Sequence, residues 1–195
     1  MGKISFANGA WKEEELPYAY THRFKETPKF TQLSDSVVNR ADETAPAGWE
    51  WISLLTEEKV STEKKASVRF RFEGEAAPIL LFADWVSEDE NGDRRYGDYI
   101  EIVAWKNGVN VWQLNYDPTL ERAGGVYWKR LLGVDSKVDE REEHTITAWT
   151  KDGKTEIYMD DRHFTLHIPT MPKEAHIGLT ACEGLCRFYE FELED

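Results

Sequence analysis

Alternation of apolar and polar residues is the feature that most constrains the fold of this chain. Strict alternation over several residues is typical of a strand with one buried face. The alternating runs lie at 67–72, 145–149, 155–159, 164–168, 176–181 and 189–193. Turn-forming pairs that end in glycine separate strand-like runs at 91–92, 107–108, 152–153 and 183–184. Strands at this spacing, about a dozen in all, predict an all-β antiparallel sandwich or barrel.

Three other segments complete the predicted organisation. The near-continuous apolar run Pro78–Trp85 indicates a central strand covered on both faces. The only helix-like segment is Leu55–Lys65, which is short and weak. Residues 1–48 have the least regular pattern, and Thr44–Gly48 is the one plausible seam, that is, a candidate domain boundary. We interpret 1–48 as strands and loops of the same sandwich, so that residues 1–195 form a single domain.

Charge and hydropathy limit the partners. The chain has 24 lysines and arginines against 37 aspartates and glutamates, a formal net charge of −13. Neither nucleic acid nor an anionic membrane is therefore an expected partner. No apolar run is long enough to span a membrane, and the N-terminus has no apolar signal core, which indicates a cytoplasmic protein. A secreted chain trimmed of its signal peptide would look the same, so that alternative stays open.

The hairpin around Asn107-Gly108 predicts a candidate binding face. A loop of these two residues alone would pair Glu101 with Leu114, whereas a three-residue loop with Gly108 as a bulge pairs Glu101 with Gln113. We favour the second register because it separates apolar from polar residues better, and burial selects such a register. The resulting polar face consists of Tyr99, Glu101, Val103, Trp105, Val111, Gln113 and Asn115.

That face suits a sugar. One side of a pyranose is fairly apolar and stacks on an aromatic ring, which Tyr99 and Trp105 supply, and its hydroxyls need polar partners. Glu101, Gln113 and Asn115 supply donors and acceptors. With 13% aromatic residues, the chain has a strongly packed interior, exposed rings for stacking, or both.

Three further side chains are candidates for the ligand site. Arg69 and Arg71 point away from the core side of their strand, and Trp149 should point outward from its own. Whether the two arginines reach Glu101 depends on strand order, which the sequence does not give.

The C-terminal strand pattern resembles that of the concanavalin A-like lectin/glucanase superfamily. The residues that carry the resemblance are 143–149, 154–161, 175–181 and 187–193, within a stretch from about Ser67 to Glu194. The pattern is closer to the laminin-G-like and keto-disaccharide-hydrolase-like branches than to the legume lectins. The resemblance implies a two-sheet antiparallel jelly-roll β-sandwich and, by analogy, a carbohydrate ligand.

A catalytic role is the main alternative to simple binding. The glucanase branch carries a Glu-x-Asp-x-x-Glu strand motif, where this chain has Asp98-Tyr99-Ile100-Glu101. Residues three apart on a regular strand face opposite sides, so a second carboxylate for Glu101 would come from elsewhere, such as Asp84 or Glu183. We predict a non-catalytic carbohydrate-binding protein. The alternatives are a glycoside hydrolase or polysaccharide lyase acting through Glu101, and an oligomeric assembly subunit with an aromatic interface.

No cofactor is expected. Asp89, Asn91 and Asp93 have the spacing of the first calcium ligands of an EF-hand, but Arg94 and Ile100 stand where that loop needs glycine and glutamate. We therefore predict a solvated hairpin loop; a structural calcium is possible but not indicated.

The two cysteines, Cys182 and Cys186, flank a tight turn. Such a turn could bring them within disulfide reach, but in the cytoplasm they are expected to stay reduced.

Overall fold

Two β-sheets make up the protein in the computed structural model, which describes residues 2–21, 29–39, 51–120 and 125–195. In these residues the only helix is a 3₁₀ turn at Ala7–Gly9. No helix in the described segments is long and apolar enough to cross a membrane. The strands are β1 Lys3–Ser5, β2 Tyr18–Thr21, β3 Thr31–Gln32, β4 Val37–Val38, β5 Ile52–Leu55, β6 Val60–Ser61, β7 Lys65–Glu73, β8 Ala77–Glu88, β9 Arg94–Trp105, β10 Gly108–Tyr116, β11 Val126–Asp135, β12 His144–Lys151, β13 Lys154–Met159, β14 Arg162–Leu166, β15 Glu174–Cys182 and β16 Leu185–Glu194.

The first sheet, sheet A, has the order β14-β13-β12-β7-β16-β4-β3, and β1 also pairs with β16. The second, sheet B, has the order β11-β10-β9-β2-β5-β15-β6, and β8 pairs with both β9 and β15. The pairings are antiparallel except that of β2 with β9, which is parallel. Strands β9, β8, β15, β5 and β2 pair with one another in a closed ring.

The main core lies between the sheets. Sheet A contributes the inward residues of β7 and β16, among them Phe70, Phe72 and Phe188, and sheet B contributes Phe82 and Ile102. All five are 0–1% exposed. Each such side chain contributes roughly 1.5–3 kcal/mol when it is withdrawn from water.

A second apolar cluster covers the other face of sheet B. Ile79, Leu81 and Ala83 of β8 belong to it, while Leu80 and Phe82 face the main core. Strand β8 is therefore buried on both faces, as the continuous apolar run predicted. This second face of sheet B carries the candidate site.

The structure confirms the all-β sandwich and most of the predicted strands. All six alternating runs overlap strands, namely β7, β12, β13, β14, β15 and β16. The helix-like interpretation of Leu55–Lys65 is wrong. The end of β5 and all of β6 occupy this segment, because Val60 and Ser61 pair with Ala175 and Glu174 of β15.

The N-terminal region joins both sheets. Strands β1 and β4 pair with β16, and β2 pairs with β5 and β9. The described part of the chain has sixteen strands, more than the dozen expected, because several N-terminal strands are only two to four residues long. The possible seam at Thr44–Gly48 lies outside the described residues.

Candidate functional site

The turn between β9 and β10 sets the composition of the site. Lys106 and Asn107 form the turn, and Gly108 already pairs with Trp105 as the first residue of β10. Glu101 consequently lies opposite Trp112. The predicted pairing of Glu101 with Gln113 is wrong by one residue.

The physical reason is the role of Gly108. A Cβ atom at this position would overlap the backbone carbonyl oxygen of Val134, at the end of β11. The glycine therefore allows the close approach of a neighbouring strand, whereas the sequence prediction assigned it to a bulge in the turn.

The corrected register exchanges the two faces of β10. Directly opposed residues share a face of the sheet, so Trp112 lies beside Glu101. Gln113 and Asn115, predicted to share the face of Glu101, lie on the opposite face. Gln113 Oε1 accepts a hydrogen bond of 2.9 Å from Thr170 Oγ1, and its Nε2 donates to Asn115 Oδ1 at 3.3 Å. Both residues line a separate pocket of about 280 Å³.

A groove of about 450 Å³ opens on the Glu101 face of sheet B. Its floor includes Ala77, Ile79 and Val103. Four tryptophans and three glutamates also line it: Trp51, Trp105, Trp112, Trp128, Glu75, Glu101 and Glu183. We call it the tryptophan groove.

Glu101 is the most buried of the three glutamates that line the groove. Its strand neighbours are Leu81 of β8 on one side and Trp112 of β10 on the other. Glu101 is only 4% exposed. Burial raises the pKa of the nearby Tyr96 phenol, and the negative charge of Glu101 contributes in the same direction.

A buried hydrogen-bond network fixes one wall of the groove. Trp51 Nε1 donates to the hydroxyl of Tyr96 at 3.0 Å. The same hydroxyl shares a hydrogen bond of 2.8 Å with Ser53 Oγ, which in turn bonds Thr180 Oγ1 at 2.8 Å. Three strands, β9, β5 and β15, therefore hold the indole of Trp51 in place.

Glu183 lines the groove from the turn between β15 and β16. Its φ of 60° lies in the left-handed region, which is uncommon for a glutamate. A Cβ atom at the following Gly184 would come within 2.8 Å of Ala76, so the turn packs tightly against the start of β8. A residue held in such a conformation is a recurrent feature of functional sites.

Cys182, at the end of β15, also lines the groove. Cys182 and Cys186 are both buried. The Cys186 thiol donates to the carbonyl oxygen of Cys182 at 3.8 Å.

Besides Glu101, two of the predicted site residues lie on the groove face. Trp105 lines the groove directly. Tyr99 is on the same face of β9, but it is 4% exposed and packs edge-on against Tyr96, with ring centroids 5.1 Å apart. It does not line the groove and instead borders the separate pocket that Gln113 and Asn115 also line.

The other three candidates lie in sheet A, away from Glu101. Arg69 forms ion pairs with Glu143 and Glu190, and Arg71 lies 3.5 Å from Glu73. Trp149 stacks on Tyr158 with centroids 5.5 Å apart. These groups occupy the outer face of the sandwich.

The two carboxylates considered as partners for Glu101 differ in position. Glu183 lines the tryptophan groove, whereas Asp84 forms an ion pair with Lys59 at 3.2 Å and lines other pockets. Asp98 also lies outside the tryptophan groove. Its carboxylate accepts hydrogen bonds from Trp85 Nε1 at 2.9 Å and from the backbone amide of Tyr116 at 2.7 Å.

The acidic segment after β8 forms the loop of the β8–β9 hairpin. Asp89 Oδ1 accepts from the backbone amides of Asn91 and Asp93 at 2.9 and 3.0 Å, and Oδ2 accepts from Arg95 Nε at 2.9 Å. The Arg95 guanidinium and these amides lower the pKa of Asp89. Within the described residues, no group of three or more His, Cys, Asp or Glu side chains could hold a metal ion.

Sequence reasoning missed four residues of the groove. The favoured register puts Trp112 on the face opposite Glu101, and neither Trp51 nor Trp128 is among the predicted site residues. Glu75 was not considered. A two-residue turn at Lys106-Asn107 would have placed Trp112 correctly.

Comparison with known proteins gives likeness in structure alone. No family model and no curated protein sequence matches this chain. The carbohydrate-binding module CBM66 from Bacillus subtilis matches with a TM-score of 0.60 and 13% identity, over 85% of this chain and 91% of that one. A Bacillus licheniformis β-glucanase matches with a TM-score of 0.64 and 10% identity, over 100% of this chain and 99% of that one.

The exoplasmic/lumenal domain of VIP36, solved in a form with Ca²⁺ and Man3GlcNAc, matches with a TM-score of 0.60 and 12% identity. The match covers 97% of this chain and 87% of that domain. Together with the two-sheet topology, these likenesses show that the chain has the jelly-roll fold of the concanavalin A-like lectins and glucanases.

Proposed function

We propose that this protein binds a carbohydrate in the tryptophan groove. The observation that carries the proposal is the lining itself, four tryptophans and three glutamates around one concavity of about 450 Å³. Indole rings stack on the apolar face of a pyranose, and carboxylates accept hydrogen bonds from its hydroxyls. A concave, largely apolar site with a few polar groups is the usual form of a small-ligand site.

The fold is consistent with this proposal by analogy. Solved structures of similar fold include a carbohydrate-binding module, a β-glucanase and a lectin domain with a bound mannose glycan. Fold alone does not determine function, so the proposal depends on the groove.

The test compares two tryptophans in the same protein. Binding of a glycan panel is measured by thermal shift and calorimetry for the wild type, Trp112→Ala and Trp149→Ala. A bound ligand raises the melting temperature by mass action. We expect Trp112→Ala to abolish the shift and Trp149→Ala, on the outer face of sheet A, to retain it. If only Trp149→Ala loses the thermal shift, the site lies on the outer face of sheet A and not in the groove. Absence of binding by the wild type would refute the proposal.

A glycoside hydrolase is the second candidate, favoured by the presence of Glu101 and Glu183 in one groove. A glycosidase needs an acid and a second carboxylate across the scissile bond. The test measures release of reducing ends from each bound glycan. If the protein is an enzyme, Glu101→Gln should lose turnover and retain ligand binding. If the wild type turns over none of the glycans that it binds, the protein is a binding protein and not a hydrolase.

A further inference from the structure

An arginine lies beside the tryptophan groove at the β11 edge of sheet B. The β10–β11 register pairs Val111 with Leu132. The next pair is Trp112 with Arg130, so Leu131 is an extra residue in β11. Such a β-bulge changes the direction of the side chains next to it. A regular strand would have Leu131 opposite Trp112, whereas the bulge gives that place, on the groove face, to Arg130.

Two contacts hold the Arg130 side chain at this edge. Its guanidinium carbon lies 5.7 Å from the ring centroid of Trp112, a distance typical of a cation–π interaction. Its Cδ and Nε atoms lie against Gly133, where a Cβ atom would be 3.7 and 3.6 Å from them. The glycine therefore leaves room for the arginine, and the indole of Trp112 orients its guanidinium beside the groove.

The guanidinium of Arg130 has no carboxylate partner in the described part of the chain, although acidic residues outnumber lysines and arginines by 37 to 24. The residue is exposed. Five other described arginines each lie within 3.9 Å of a carboxylate oxygen: Arg69, Arg71, Arg94, Arg95 and Arg187. A guanidinium fork matches a carboxylate with two parallel hydrogen bonds. Arg130 is therefore available for a carboxylate that a ligand carries.

Trp128 provides a stacking surface next to this arginine. It lies two residues before Arg130 on the same face of β11, and it lines the groove. Residues two apart on a strand are separated by about 7 Å. A sugar ring that stacks on Trp128 therefore has its outer substituents within reach of the Arg130 side chain.

The overall charge limits how many anionic groups such a ligand carries. The net charge of −13 disfavours a polyanion. A single carboxylate at Arg130 forms a local ion pair, and it lies away from Glu101. That glutamate is on β9, two strand spacings or about 10 Å from β11. The groove therefore suits one carboxylate at its β11 edge and neutral sugar units over the rest.

We propose that the groove selects glycans with a hexuronic acid unit, whose carboxylate binds the guanidinium of Arg130. The proposal rests on the carbohydrate-binding function proposed above and specifies its ligand class. Stacking on Trp128 and Trp112 holds the sugar rings, and Arg130 distinguishes a hexuronic acid from the corresponding neutral hexose.

The test uses two matched pairs of tetrasaccharides. Cellotetraose and mannotetraose are each compared with the same chain oxidised at C6 of its non-reducing terminal unit, so that the members of a pair differ by one carboxylate. Calorimetry at pH 7 keeps that carboxylate ionised. We expect the acidic member of at least one pair to bind at least about tenfold more tightly than its neutral counterpart.

Three variants separate recognition by the guanidinium fork from general charge. Arg130→Gln should remove the preference for the acidic member and leave the affinity for the neutral one unchanged. Arg130→Lys keeps the charge without the fork and should retain only part of the preference. Lys129→Gln removes the same charge from the neighbouring exposed residue, which pairs with Gln113 and faces away from the groove, and should keep the full preference.

The outcomes distinguish the two proposals. Equal affinities within both pairs, absence of binding by both acidic tetrasaccharides, or an equal loss of preference in Lys129→Gln would overturn carboxylate recognition. If Arg130→Gln weakens the neutral and acidic members by the same factor, the arginine acts only by orienting Trp112, and carboxylate recognition is again overturned. These results leave carbohydrate binding intact, whereas failure of the wild type to bind any glycan of the panel would overturn the proposed function itself.

Discussion

Removing the hydroxyl of Tyr96 should both destabilise the protein and weaken the tryptophan groove. Tyr96 is completely buried, and its hydroxyl connects Trp51 Nε1 with Ser53 Oγ. In Tyr96→Phe the ring still fills its space, so no cavity of note is created. The change therefore isolates the hydrogen-bond network.

The magnitude follows from the two bonds that are lost. A buried donor or acceptor left without its partner costs about 1–3 kcal/mol. Ser53 keeps its bond to Thr180, which limits its share of the loss. We therefore expect Tyr96→Phe to lower the free energy of unfolding by about 2–3 kcal/mol, most of it from the Trp51 indole nitrogen.

Urea unfolding, followed by tryptophan fluorescence and circular dichroism, measures this loss. The midpoint should fall with an unchanged m-value, since the exposed surface on unfolding stays the same. Tyr127→Phe is the matched control, because Tyr127 is 56% exposed on β11. A Tyr96→Phe variant within about 0.5 kcal/mol of the wild type would refute the reasoning. Glycan affinity should also fall, because Trp51 loses an anchor.

Three further results are expected. Trp112→Ala should weaken glycan binding at least about tenfold in calorimetry, and Trp149→Ala less than about twofold, because only Trp112 lines the groove. Burial lowers the pKa of His176 below 6.5, so stability should be complete above about pH 6.5 and fall as the pH drops through the lowered value. His176→Asn should flatten that decline in urea titrations at pH 7 and 5. Gly178→Ala should cost about 3 kcal/mol in the same assay, because a Cβ there would overlap the carbonyl of Leu54.

The fold could be predicted from local sequence because burial dictates the patterns. Strand β7 alternates buried and half-buried residues from Ala66 to Phe72, and its sequence alternates in the same way. Strand β8 is apolar from Ala77 to Ala83 because both of its faces are covered there. The short segment Val60–Ser61 was misjudged because its strand conformation depends on pairing with Glu174–Ala175, more than a hundred residues away.

The candidate site was predicted only in part because its residues depend on register and on strand order. Glu101 and Trp105 were placed correctly since they lie on one strand, where alternation alone assigns the face. Arg69 and Trp149 were assigned to the ligand from their outward direction, but direction within a strand does not tell which sheet the strand joins. That information is in the pairing of β7 with β12 and β16.

One glycine determines which side chains of β10 face the groove. With the turn at Lys106-Asn107, residue 108 lies so close to the backbone of Val134 that only glycine fits there. Trp112 then lies opposite Glu101. A turn one residue longer would place Gln113 opposite Glu101 and give a polar face that stacks weakly. Since the side-chain period of a strand is two, no intermediate arrangement exists. The aromatic character of the groove, and with it the proposed affinity for a sugar ring, is therefore set by the packing of the β10–β11 edge.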